Sequence, residues 1–264
     1  MGLFDKKYCD ICGNKIGLLG NRKLEDGNLC KDCAKKLSPW FSERRHSTKA
    51  SIQEQLNYRE ANREAVAAFH TTRSLGKNPK VLLDEDNRKF MVTSASNLSE
   101  ANPDVLDYNQ VTGCDLEIDE NRSEKKRTDK DGKQVSYVPP RYEYSYNFYV
   151  TIHVNHPYFD DMRFQLNSGS VHTGETSMGA ASGGWTTNRA AAGIRAGMGV
   201  TEYNEYVKMG NEIKRAVDGM RNEIRREVRA QSAPKAAVTC PWCGATTTPD
   251  ASGCCEYCGG SVNG

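Results

Sequence analysis

From Tyr142 to Val154 hydrophobic and polar residues alternate without a break. Tyr142, Tyr144, Tyr146, Phe148, Val150, Ile152 and Val154 take one side, and Glu143, Ser145, Asn147, Tyr149, Thr151 and His153 take the other. A period of two sends one set to a core and the other to water, which predicts a half-buried antiparallel strand. Cys114, Leu116 and Ile118 alternate with acidic residues in the same way, and Met162, Phe164 and Leu166 mark one more strand. Residues 80–83 and 89–92 flank the turn Asp84-Glu85-Asp86-Asn87 and read as a hairpin. Two stretches have the helical period instead. Ser51 with Glu54 forms a capping box ahead of Ile52, Leu56, Val66 and Phe69, a helix running to about His70. Tyr206, Ile213, Val217, Met220 and Ile224 mark a second helix from 202 to about 230, too short in its stripe for a coiled coil and better suited to capping an open sheet. The fold class expected is α+β, an antiparallel sheet domain with one wet face and a C-terminal helix.

Composition changes this picture in one place. Across residues 173–201 there are seven glycines and six alanines, with only Glu175, Arg189 and Arg195 charged. Such a stretch cannot build a core, and is read as a flexible insertion open to proteolysis. The 264 residues are 37% hydrophobic with a mean hydropathy of −0.72, and no apolar run approaches membrane-spanning length. Membrane insertion is not expected. The opening residues lack the apolar stretch of a signal peptide, and Lys6 stands where a myristoylation motif wants Ser or Thr, so the location read is cytoplasmic.

The candidate chemistry is in the ten cysteines. Eight form four CxxC pairs: Cys9/Cys12 with Cys30/Cys33 near one end, Cys240/Cys243 with Cys255/Cys258 near the other. A CxxC turn aims two sulfurs at one metal, and the intervening chain is long enough to return with a second pair. Two four-thiolate zinc sites are expected. A rubredoxin-like iron site uses similar pairs, so iron or thiol redox chemistry stays an alternative at this level. Gly13, Gly244 and Gly259 follow three of the pairs, as in a zinc knuckle. The fourth pair, Cys30/Cys33, runs into Ala34-Lys35-Lys36-Leu37 before Pro39 and reads as a short helix with its cysteines in the first turn. A treble clef is expected at the N-terminus and a zinc ribbon of two knuckles at the C-terminus. Cys114 is read as core, and Cys254, next to a ligand, as a competitor for the metal.

The residues CDICGNKIGLLGNRKLEDGNLCKDCAKKLSPW, Cys9 to Trp40, resemble a bacterial N-terminal zinc-finger family catalogued as domain of unknown function 4428. The tail CPWCGATTTPDASGCCEYCGG is similar to terminal zinc ribbons and departs from them in Cys254. The middle resembles the pleckstrin-homology-like β domains that accompany this finger. The resemblance implies metal sites and no assigned activity. The organisation expected is a finger over 1–50, a connector helix over 51–77, the β domain over 78–231 with its insertion at 173–201 and helix at 202–231, and a ribbon over 232–264.

No catalytic constellation is apparent. His153 and His156 are an odd number of residues apart, so a strand places them on opposite faces, and His46, His70 and His172 lack a triad or metalloprotease pattern. Asp129-Lys130-Asp131-Gly132 fails as a calcium loop at both ends, with Arg127 and Val138 at positions one and twelve, and reads as a hairpin turn. Charge then sorts the binding classes. Residues 1–50 carry a formal +5, residues 78–172 a formal −5, and the last module has Lys235 against Asp250 and Glu256. The sequence therefore reads as a non-enzymatic zinc protein that binds another protein through its sheet domain or ribbon. The alternative is a nucleic-acid-binding regulator using Lys15, Arg22, Lys23, Lys35 and Lys36 with the stripe Arg221, Arg225 and Arg229. Replacing Cys12 or Cys243 is expected to unfold only the finger concerned.

Overall fold

Two short hairpins and a one-turn helix open the chain: β1 (Lys7–Tyr8) pairs with β2 (Lys15–Ile16), β3 (Arg22–Lys23) with β4 (Asn28–Leu29), and α1 (Lys31–Lys35) follows. Elements this short cannot hold themselves together by packing alone. Their small core is Cys9, Ile16, Leu24, Leu29, Cys30, Cys33 and Leu37, and it is closed by Ile52 and Leu56 from the next helix, α2 (Lys49–Ala68). The computed structural model describes residues 6–177, 199–232, 237–250 and 252–262. Most of the predicted insertion lies outside them.

The α2 helix begins two residues before the predicted box. Thr48 is its N-cap and accepts from the Ser51 N–H at 3.2 Å, while Ser51 sits inside the first turn. Its buried stripe is Ile52, Gln55, Arg59, Asn62 and Val66, polar in the middle and apolar at the ends. The far end, Val66 with Ala65 and Phe69, packs on Leu82 and Met91 of the first sheet and on Val105, just before its last strand. That sheet is the meander β5 (Arg73–Gly76), β6 (Lys80–Asp84), β7 (Lys89–Thr93) and β8 (Leu106–Asp107), with the predicted hairpin as β6 and β7. Between β7 and β8 lies the short helix α3 (Leu98–Ala101), which ends at Asn102 in a left-handed conformation.

Asn102, Pro103 and Asp104 meet the polar middle of α2. The Arg59 guanidinium donates to Asp104 Oδ1 at 2.6 Å, to the Lys36 carbonyl at 3.2 Å and to the Asn102 carbonyl. Asn62 Nδ2 donates to Asn102 Oδ1 and to the Pro103 carbonyl, both at 2.8 Å, and Asn102 Nδ2 donates back to the Arg59 carbonyl at 2.7 Å. Ser38, just past the finger's helix, donates to Asp104 Oδ2 at 2.8 Å. Finger, helix and sheet thus share one buried network.

The second sheet is built around one long strand, β10 (Gln134–His156). The strand β9 (Val111–Thr128) lies along one edge of it; the other carries β11 (Phe159–Gln165) beside Tyr149–His156 and β12 (Val171–Ser177) beside Arg141–Tyr146. The predicted alternation holds from Tyr146 on: Tyr146, Phe148, Val150, Ile152 and Val154 are buried, with Cys114, Met162, Phe164 and Leu166, whereas Tyr142, Tyr144 and Leu116 are half-buried and Ile118, expected on the buried face, is exposed because the sheet runs on past its core there. Residues 173–177, counted in the insertion on composition, continue β12 instead, because the strand's backbone pairs with β10 whatever its side chains offer. The last long helix, α4 (Val200–Ser232), lays Tyr203, Ile213, Val217 and Met220 into the core. Tyr203 stacks edge-on against Tyr146 and Phe148. Gly210 allows a close approach to β9: a methyl there would stand 2.5 Å from Leu116. The chain divides into two compact units at residues 221 and 222; the second holds the end of α4 and a hairpin of β13 (Val238–Thr239) and β14 (Thr246–Thr247).

Candidate metal centre

Each of three CxxC pairs closes the same turn. The N–H of Gly13 donates to the Cys9 carbonyl at 2.8 Å, that of Gly244 to Cys240 at 2.9 Å and that of Gly259 to Cys255 at 2.8 Å. The three glycines have φ of 73°, 71° and 70°, a left-handed conformation that a side chain would strain. The fourth pair uses the start of α1. Cys30 is the N-cap residue, and its sulfur accepts from the Cys33 N–H at 3.3 Å. The first pair is tied to β4 by Asp10, whose carboxylate accepts from the Asn28 N–H at 2.6 Å, and to the start of α1 by the Cys30 N–H donating to Cys9 Sγ at 3.3 Å.

These turns bring together Cys9, Cys12, Cys30 and Cys33, and separately Cys240, Cys243, Cys255 and Cys258, with all four sulfurs of each set within 4.8 Å of one another. Cys12 and Cys30 are 3.7 Å apart, Cys240 and Cys258 3.6 Å, Cys243 and Cys255 3.8 Å. A disulfide needs about 2.05 Å. Four sulfurs at about 2.3 Å from a tetrahedral ion stand about 3.8 Å apart, which is the spacing found. The donor set fits zinc at both sites.

Electrostatics agree. Burial pushes the Cys9 thiol up, but the N–H groups of Cys12, Cys30 and Ile11 outweigh it and bring it to about 6. Burial and then the sulfurs of Cys12, Cys30 and Cys9 push Cys33 well above the thiol range. In the ribbon, burial likewise opposes and the Cys258 and Tyr257 N–H groups bring Cys255 to about 6. Converging thiols hinder one another's ionisation, and a divalent ion removes that conflict by holding all four as thiolates. A metal held by either set would have its four tetrahedral positions filled by sulfur, with none open for substrate.

The remaining cysteines stand apart. Cys114 is in the sheet core, where burial pushes its thiol up to about 12. Cys254 points at the Ser252 carbonyl, 3.9 Å away, and joins neither set. His153 and His156 do not act together. His156 is buried and shares a 2.9 Å hydrogen bond with the Tyr58 hydroxyl. His153 lies on the wet face between Asp161, 2.5 Å from Nδ1, and Asp115, 3.0 Å from Nε2. Those carboxylates come from β11 and β9, so no local spacing could announce them. Residues 129–133 form a turn, with the Asp129 N–H donating to the Lys133 carbonyl, as expected of a hairpin rather than a calcium loop.

Among the described residues no helix is long and apolar enough to cross a membrane. No curated protein and no solved structure matches the chain. Residues 7–55, the first four-cysteine module and the start of α2, match the family described as Domain of unknown function (DUF4428).

Proposed function

We propose that the chain is a non-enzymatic, cytoplasmic zinc protein that works as a protein-interaction adaptor, with a treble-clef finger and a zinc ribbon flanking a pleckstrin-homology-like sheet domain. The observation that carries this reading is on the ribbon. Trp242 and Tyr257 occupy the same place in its two knuckles, just before the second cysteine, and are 75% and 71% exposed. The indole is already ordered: Nε1 donates to the Ser261 carbonyl at 3.0 Å, and the ring lies over Gly260. Rigid, exposed aromatics are the residues that anchor protein interfaces. Residues 237–262 hold Asp250 and Glu256 and no Lys or Arg, and a zinc ion on four thiolates adds a net charge of about −2. Such a surface favours a basic protein partner over a phosphate backbone.

The test compares proteins co-purifying with the wild-type chain and with a W242A/Y257A variant of equal zinc content. Loss of a defined set with the variant supports the reading. An unchanged set overturns it, and a visible absorption band from bound iron favours the redox alternative.

A further inference from the structure

Beyond Arg141, where β12 leaves β10, only β9 and β10 continue among the described residues, as a two-stranded arm closed by the turn at 129–133. Residues 126–128, paired with 134–136, carry its ladder about 10 Å before the turn, and residues 121–125 lead into it along the part of β10 that β12 also pairs with. Its side chains are exposed or half-exposed on both faces, so it has no core of its own to build. The formal −5 of residues 78–172 is unevenly spread. Residues 121–142 hold seven Lys and Arg against three Asp and Glu, a formal +4, while the rest of that segment carries −9.

We propose that this arm is a binding element for double-stranded DNA, entering the major groove and contacting the phosphates on both sides. Four observations point there. Cations line both faces, because successive residues of β9 alternate: Lys126, opposite Ser136, faces one way, and Arg127, opposite Val135, the other. A flat acidic protein surface would meet only one of these faces, whereas a groove has two phosphate walls. Lys130 and Lys133 put two more cations at the tip, and none of these four is ion-paired among the described residues. The remaining arginines are stiffened by aromatic rings: Arg122 lies 3.6 Å over Tyr142 and Arg141 4.5 Å over Tyr137. Finally, the size is right, since the major groove of B-form DNA, about 12 Å wide, admits a two-stranded ribbon.

Binding by the arm does not rest on the role proposed for the ribbon. The affinity expected is modest and indifferent to sequence, since four phosphate contacts without base-reading partners give mainly counterion release.

The experiment is fluorescence anisotropy of the full chain with a mixed-sequence B-form duplex between 0.05 and 0.2 M salt. Four contacts imply a loss of affinity of about 150-fold over that range. A K126A/R127A/K130A/K133A variant with an unchanged melting temperature should bind at least about tenfold more weakly at the low-salt end and show a much flatter salt slope. A K15A/K35A/K36A variant of the finger should keep the wild-type slope. An A-form RNA duplex of the same sequence should bind less well, because its major groove is too narrow for the arm. The proposal is overturned by undiminished binding of the arm variant, by equal affinity for the RNA duplex, or by poly-glutamate binding in preference to DNA, the last of which would mark an acidic protein as the partner.

Discussion

Arg59→Met removes the positive member of the buried network and leaves Asp104, among the described residues, with only Ser38 as a side-chain partner. The side chains of Arg59 and Asp104 are 7% and 0% exposed, so water cannot replace the lost contact. Breaking a buried pair from one side costs about 3–5 kcal/mol, because the surviving charge stays dehydrated. Asp104→Leu should cost a similar amount by stranding the guanidinium. The double variant has no stranded charge. Its remaining loss is the partners of the carbonyls of Lys36 and Asn102, already lost in Arg59→Met, and of the Ser38 hydroxyl, already lost in Asp104→Leu, so it should cost clearly less than the sum of the two single changes. The singles should then lower the melting temperature by about 6–20 °C. Urea and thermal denaturation followed by circular dichroism in zinc-containing buffer would measure all three. Singles costing below about 1 kcal/mol, or losses that simply add in the double variant, would refute the reasoning.

Two further outcomes are expected. Elemental analysis should find two zinc ions per chain, and Cys12→Ser or Cys243→Ser should each remove one. The structure alters the expected consequences, however: Cys12→Ser should also lower the melting temperature of the sheet unit, through Ser38 and Lys36, while Cys243→Ser should leave that unit unchanged. The pH response should carry the mark of His153, which Asp161 and then Asp115 hold above the ordinary histidine value, with Lys214 also on Asp115 at 3.3 Å. That contribution to stability is complete below about pH 6.5 and fades as the pH rises through the raised value. His156, held low by burial, acts in the opposite sense, losing its contribution as the pH falls. Unfolding measured from pH 5.5 to 8.5 should show the alkaline-side loss reduced in His153→Gln; an unchanged profile counts against the assignment.

The metal sets were legible because a CxxC turn is a local object: its spacing and its glycine decide where two sulfurs point. The buried strands were legible for the same reason, since a period of two needs no knowledge of the partner. The middle of α2 was not. Gln55, Arg59 and Asn62 are polar and look like a solvated face, yet all three are buried, and the partners of Arg59 and Asn62 are residues 102–104, some forty positions on. The carboxylates around His153 come from other strands in the same way. The arm escaped notice for another reason: a net charge taken over 78–172 averages a basic projection with the acidic body from which it extends.

Four residues of β10, Tyr137 to Pro140, have no partner on β9, and two of them are prolines. A long ribbon with bare edges is a template on which further strands can assemble into fibres. Proline has no N–H to offer a newcomer, and the bulge shifts the register on either side of it. An incoming strand therefore meets a gap in the hydrogen-bonding row about where β12 ceases to cover it. The chain can thus extend a ribbon into solvent while limiting its own polymerisation along the β10 edge.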